Sequence, residues 1–281
     1  MTDEVTLFDK IEAKPFIKWV GGKRSLLDVI IPSIPKTIDT YYEPFIGGGA
    51  VFFALVERLN KAILSDHNLD LVITYTVVKK EVNKLIKKLR EHQSNHCEEY
   101  FYYMREQSYN DSIETAARFL YLNKTCYNGL YRVNQKGKFN TPIGKYTNPN
   151  IVQEDNLIAC SKALEKAEIK HIDFEEITPQ KGDFVYFDPP YHPTDDISFT
   201  QYTKNDFTEK DQIRLKLFIS RLHRNGIKVM LSNSKTHFIL NLYKAKYFKK
   251  QGVKAPRYVN CKVDKRGDVE ELLITNYETG N

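Results

Sequence analysis

Asp188-Pro189-Pro190-Tyr191 follows directly on the apolar run Phe184-Val185-Tyr186-Phe187. Two consecutive prolines cannot continue a strand, and they stiffen the chain that follows. A carboxylate, an exposed carbonyl and an aromatic ring are thereby set at the carboxyl end of a strand, where open α/β sheets bind ligands. An exocyclic amine on a flat ring asks for such a set. Asp188 and the Pro189 carbonyl accept its two hydrogens, and Tyr191 stacks on the ring. The plainer reading is a strand-ending turn with an ordinary surface aspartate.

A second group is the turn in Glu43-Pro44-Phe45-Ile46-Gly47-Gly48-Gly49. Glycines let backbone approach a ligand closely, and the helical pattern that follows offers free N–H groups. A dinucleotide fingerprint wants a further glycine where Phe52 stands, which weakens a nicotinamide-cofactor reading. Asp66 closes the next strand, where a carboxylate can accept hydrogen bonds from ribose hydroxyls. An adenosine-containing ligand fits this set, and a tight turn packed on the sheet fits it too. The third group, Lys18-Trp19-Val20-Gly21-Gly22-Lys23, is not a phosphate-binding loop, because Ile17 and Arg24 occupy positions that such a loop gives to Gly and Ser or Thr. Trp19, the sole tryptophan, is read either as core or as a cover over an anionic or amphiphilic ligand.

These groups need a sheet to position them. Residues 40–46 read as a strand, 50–58 as a helix and 61–66 as the next strand, the opening of an open α/β sheet. A long helical pattern covers 69–90 and another 113–122, after which Asn, Gly, Lys and aromatics crowd together over 123–150. Within that block Gln135-Lys136-Gly137-Lys138 predicts a hairpin turn between two short strands. The α/β texture resumes with strands at 169–172 and 184–187, a helix over 212–222, a strand at 226–233 and final strands at 258–263 and 270–276. The expected division is a catalytic domain of residues 1–66 and 166–281 interrupted by an insertion at 67–165.

The chain has 281 residues, 41% hydrophobic and 28% charged, the composition of a globular protein. No apolar run approaches the roughly 20 residues of a spanning helix. The opening Met1-Thr2-Asp3-Glu4 lacks the basic-then-apolar layout of a signal peptide, so a cytoplasmic protein without a membrane partner is expected. A formal charge of +6 suits a polyanionic partner without requiring one. The four cysteines, Cys97, Cys126, Cys160 and Cys261, show no zinc-type pairing, and no metal is expected.

In this order the motifs resemble the Dam-type DNA adenine-N6 methyltransferases, the group in which a target-recognition insertion precedes the catalytic tetrapeptide. The likeness runs from about Pro15 to Tyr277 and rests on five separated features: 18–23, 43–49, Asp66, 127–132 and 188–191. It implies a Rossmann-like, S-adenosylmethionine-dependent α/β sheet carrying an inserted, mostly helical target-recognition domain with a β-hairpin. It further implies site-specific methyl transfer to adenine N6 in double-stranded DNA, in the sequence GATC, by base flipping and direct in-line transfer. Asp188, Pro189, Pro190 and Tyr191 match the catalytic site. Trp19, Lys23, Phe45, Gly47, Asp66 and Asp188 match positions that bind the donor, and Asp173 and Phe174 match those that hold its adenine. Lys18, Tyr127, Asn128, Leu130, Arg132, Pro142 and Tyr146 match the DNA-reading set, with Arg132 on a guanine edge, Leu130 and Pro142 on apolar base features and Tyr127 wedged into the stack. Lys145 stands where many members carry Arg.

The same tetrapeptide would also serve amino nitrogens of RNA or a protein glutamine, and only the insertion argues for duplex DNA. A catalytically silent DNA-binding module is the rival from another class; it would bind no methyl donor. A cognate restriction nuclease is one setting for such an enzyme, and solitary work in repair or gene control is the other.

Overall fold

The computed structural model describes residues 11–194, 207–256 and 268–279. Its elements are, in chain order, α1 (Leu27–Ser33), β1 (Tyr41–Glu43), α2 (Ala50–Leu55), β2 (Ala62–Asp66), α3 (Leu69–Lys80), α4 (Val82–Ser94), α5 (Glu98–Glu106), α6 (Ser112–Thr125), α7 (Glu154–Leu164), β3 (Ala167–His171), β4 (Phe184–Phe187), α8 (Glu209–Arg224), β5 (Lys228–Ser234), α9 (His237–Leu242), β6 (Lys249–Pro256) and β7 (Asp268–Thr275).

Among these residues the seven strands form one sheet in the order β3-β2-β1-β4-β5-β7-β6. β3 through β5 run parallel, and β7 enters antiparallel between β5 and β6. This is the α/β, Rossmann-like architecture expected. The strand order reverses between β1 and β4, and ligands of open sheets bind in the crevice at such a switch point.

β4 is apolar at every position because both faces of the sheet are covered. Side chains alternate between faces: Phe184 and Tyr186 join one buried cluster, Val185 and Phe187 the other. Met230 and Leu273 share the first face; Val229, Leu231, Leu272 and Ile274 share the second. α8 seals the second face with Leu215, Phe218, Ile219 and Leu222. Its start is fixed by Asp211, whose carboxylate accepts the Thr208 N–H at 2.9 Å. The first cluster continues through α2, α3, α4, α6 and α7, and α3 and α7 also pack against the sheet strand β3.

Several elements differ from the sequence reading. The helix read over 69–90 breaks at Glu81, whose φ of −136° leaves the helical region. Glu81 itself stays paired on both sides of the break: its N–H donates to Val77 and its carbonyl accepts from Leu85. α4 beyond it buries Leu85, Ile86 and Leu89. The ribbon after α6 is narrower than two strands: single antiparallel bridges join Cys126 to Ile143 and Val133 to Phe139. Its turn is held by the Asn134 side chain, which accepts from Lys136 N–H at 2.9 Å and Lys138 N–H at 3.1 Å. The strand read at 258–263, Cys261 and the opening tetrapeptide lie outside the described residues. β7 pairs with β5 on one side and with β6 on the other.

Candidate active site

Each parallel strand near the switch point delivers one functional group at its carboxyl end. β1 runs into Pro44, Phe45 and the glycine turn; β2 ends on Asp66; β3 leads to Asp173 and Phe174; and β4 leads to residues 188–191.

The glycine turn is shaped by close approach. Gly47 has φ +45°, and a Cβ there would stand 2.6 Å from Trp19 Cδ1. Its N–H donates to Asp66 Oδ2 at 3.3 Å, and its carbonyl accepts the Tyr75 hydroxyl at 3.0 Å. Asp66 Oδ1 takes the Asn68 N–H at 2.9 Å. Burial pushes the Asp66 carboxyl upward, opposed by these backbone donors. Trp19 is half-buried rather than core, with one side on the glycine turn and its ring stacked on Tyr131 at 5.8 Å.

Phe45 packs against Phe174 at 5.6 Å and Phe207 at 5.7 Å, making an apolar aromatic wall. Asp173 caps the short turn of Phe174, accepting from Glu175 N–H at 3.0 Å, and pairs with Arg214 at 2.6 Å. The Arg214 guanidinium also lies 4.6 Å from the Phe174 ring centre.

Lys23 reaches into the tetrapeptide. It is 4% exposed, its ammonium lies 2.8 Å from Asp188 Oδ1 and 4.7 Å from the Tyr191 ring centre, and it donates to the Gly21 carbonyl. Burial pushes the Asp188 carboxyl upward, and the Lys23 ammonium pulls it back down. Glu43 lies close enough to feel both; burial pushes it up to about 8, against the Tyr41 hydroxyl that donates to it at 2.8 Å.

The tetrapeptide backbone is pinned from α8 and β5. Gln212 donates to the Pro190 carbonyl at 2.9 Å, and Asn233 donates to Gln212 Oε1 at 3.0 Å while accepting the His192 N–H at 3.1 Å. The Tyr191 hydroxyl donates to Glu271 of β7 at 2.7 Å.

The residues read as DNA-contacting gather on and beside the ribbon. Lys18 Nζ donates to the Tyr146 hydroxyl at 3.2 Å and lies 4.5 Å from its ring centre. Asn123 ties the two regions together, accepting Lys18 N–H at 2.9 Å and donating to the Lys18 and Gly129 carbonyls. Gly129, at φ +65°, lets the Lys18 stem cross where any Cβ would collide with it. Tyr127, Asn128 and Pro142 are exposed, Leu130 is half-buried, and Asn128 takes a left-handed φ of 55°. Arg132 Nε donates to Asn140 Oδ1 at 2.8 Å, and a terminal nitrogen donates to the Asn140 carbonyl at 3.2 Å.

Asn123, Asn140, Gln212, Asn233 and Glu271 are not singled out by the sequence, because each is a single polar residue that only the tertiary fold brings to a motif. Tyr131 lies within 127–132, but its stacking on Trp19 is visible only in the fold. Among the described residues no group of three His, Cys, Asp or Glu side chains is placed to hold a metal, and no helix is long and apolar enough to cross a membrane.

A family model, that of the D12 class N6 adenine-specific DNA methyltransferases, matches residues 19–256. The chain is 46% identical over 291 residues to the Type II methyltransferase M.MjaIII of Methanocaldococcus jannaschii, covering 95% of this chain and 100% of that protein. It is 40% identical to the Type II methyltransferase M1.LlaDCHI of Lactococcus lactis subsp. cremoris, with 96% and 97% covered. It is 34% identical to the DNA adenine methylase of Escherichia coli K12, with 92% and 94% covered.

Proposed function

This chain belongs to the D12 class N6 adenine-specific DNA methyltransferases, and on that premise we propose that it methylates adenine N6 in duplex GATC with S-adenosylmethionine as donor, in the Dam-type manner. The observation that carries the reading is the meeting of four strand ends at the switch point with Asp188, Pro189 and Tyr191 on one side and Gly47 and Asp66 on the other.

The residues present fit the donor. Trp19 packs directly on the backbone of Gly47 and Gly48, so closely that a Cβ at Gly47 would strike its ring, and together they form one side of the donor cradle. Asp66 offers its remaining acceptor capacity to ribose hydroxyls, and the wall of Phe45 and Phe174, with Asp173 at its edge, suits a purine. Trp19 and Lys23 close the side toward the tetrapeptide. When bound, the donor supplies an electrophilic sulfonium methyl.

The adenine amine is a poor nucleophile because its lone pair is delocalised into the ring. Asp188 and the Pro189 carbonyl accept its two hydrogens, which favours a pyramidal nitrogen with its lone pair toward the methyl. Positive charge grows on that nitrogen as the N–C bond forms and the S–C bond breaks, so the carboxylate contributes most in the transition state. Burial pushes the Asp188 carboxyl upward, and the Lys23 ammonium beside it opposes that push and favours the carboxylate. After transfer the nitrogen sheds one proton, and the Asp188 carboxylate is the base within reach. Because the amine is inaccessible inside a duplex, the base must flip out, at a cost of a few kcal/mol. Stacking on Tyr191 returns about 1–3 kcal/mol.

Residues 67–165 act as the target-recognition part, with α3 and α7 as its footings on the sheet and the ribbon as its reading edge. Lys18 and Tyr146 contact the site near its first guanine, Arg132 reads a guanine edge, Leu130 and Pro142 meet apolar base features, and Tyr127 and Asn128 enter beside the flipped base. The two Type II methyltransferases among the relatives have the higher identities, which supports work beside a nuclease that cuts the same unmethylated sequence. The test is digestion of plasmid DNA by a GATC-cutting nuclease after incubation with the chain and donor. Protection is the expected result, and full cutting would count against the reading.

A further inference from the structure

Glu271 lies in β7, opposite Ser234 at the end of β5 and more than one sheet position from any motif legible in the sequence. Its Oε2 accepts the Tyr191 hydroxyl at 2.7 Å. The Tyr191 backbone is already held from both sides, by Gln212 at the Pro190 carbonyl and by Asn233 and Ser234 at His192. With the backbone fixed, the ring keeps two soft torsions, and a hydrogen bond at its far tip removes most of that freedom. We infer that Glu271 is a positioning residue for adenine transfer, fixing the ring plane of Tyr191 through its hydroxyl so that the flipped base is met by a preset stacking surface. This inference rests on the proposed adenine methylation.

The local chemistry favours a positioning role over simple satisfaction of a buried hydroxyl. A phenylalanine would need no partner at all, whereas this site carries a carboxylate beside Asp188, which repels it and helps push the Asp188 carboxyl upward. A charged acceptor also makes a stronger hydrogen bond than a neutral one. Glu271 touches neither the amine nor the donor in this reading; it acts through Tyr191.

The test is a double-mutant cycle on the full chain with Glu271→Ala, Glu271→Gln, Tyr191→Phe and Glu271→Ala/Tyr191→Phe. Single-turnover transfer of labelled methyl from S-adenosylmethionine to a GATC duplex is measured, with KM for duplex and donor. Loss of orientation is expected to lower the transfer rate about tenfold in Glu271→Ala and in Tyr191→Phe. The double variant is expected to be no slower than either single one, the KM values to stay within twofold, and Glu271→Gln, which still accepts the hydroxyl, to recover most of the rate. A rate for Glu271→Ala within twofold of wild type, or penalties that multiply in the double variant, would overturn the role of Glu271 alone. A wild-type chain that binds the duplex yet transfers no methyl to adenine would overturn the functional reading and this role with it. Chemical unfolding of wild type, Glu271→Ala, Tyr191→Phe and the double variant reads the Glu271–Tyr191 coupling without turnover; independent effects there would also count against it.

Discussion

Lys23, from the N-terminal turn, and Asp188, from the end of β4, form an ion pair 2.8 Å apart although the lysine is almost wholly buried. The pair ties the N-terminal turn to the tetrapeptide after β4, and the ammonium opposes the upward push that burial gives the Asp188 carboxyl.

Removing one partner of such a pair leaves an uncompensated buried charge. Asp188→Ala is therefore expected to abolish methyl transfer and to lower stability by about 3 kcal/mol. Asp188→Ala/Lys23→Met, which removes both charges, is expected to unfold at higher denaturant than Asp188→Ala while remaining inactive. Denaturant melts of wild type and the two variants check this, and equal destabilisation of the variants would refute it.

Glu43 makes stability depend on pH. Its carboxyl is raised from the ordinary carboxylate range to about 8 in the folded chain, so between those values the folded state holds a proton that the unfolded state has lost. The contribution is fully present below the unfolded value and disappears as pH rises through about 8, with a slope of about 1.4 kcal/mol per pH unit between. Glu43→Gln is expected to flatten the stability profile between pH 5 and 8 in the range set by these values and to exceed wild type at the alkaline end. A parallel profile for the variant would exclude Glu43 as the source.

Gly47→Ala sets a Cβ against the Trp19 ring at a φ that L residues rarely adopt. A loss of more than about 1 kcal/mol is expected, felt at the donor site to which the proposed function assigns both residues. Trp19 is the sole tryptophan, so its fluorescence reports occupancy directly. Titration with S-adenosylmethionine is expected to change the emission of wild type with saturation and to require higher donor concentrations in Gly47→Ala. Identical titrations would remove Gly47 from the cradle.

Arg132 is braced across the ribbon by Asn140. Arg132→Ala is expected to cost about 1–3 kcal/mol of discrimination at one base pair of the target. Transfer to a panel of singly substituted GATC duplexes checks this, and an unchanged preference would take Arg132 out of the reading set.

What could be read from the sequence was local. β4 with its two following prolines was legible because an all-apolar run and a proline stop carry their meaning without neighbours, and the glycine turn was legible for the same reason. β6 was not: Lys249-Lys250-Gln251-Gly252-Val253-Lys254 looks like a solvated surface, and lysines are what an edge strand uses to discourage further pairing. α5 hid because Tyr100-Phe101-Tyr102-Tyr103 has the propensity of a strand, while burial of Phe101 and Met104 at helical spacing decides for a helix. The break at Glu81 hid because the buried positions keep helical spacing across it, from Leu71, Tyr75 and Val78 to Leu85 and Leu89. Glu271 and Asn140 could not be found at all, since each gains meaning only from the residue across from it.

The most direct measurement is transfer of labelled methyl from S-adenosylmethionine to matched duplexes that contain or lack GATC, followed by nucleoside analysis. Label in N6-methyladenine, confined to the GATC duplex, is the expected result. Label in both duplexes would contradict the assigned target, and a chain that binds donor and duplex yet leaves every adenine unlabelled would contradict the proposed function itself.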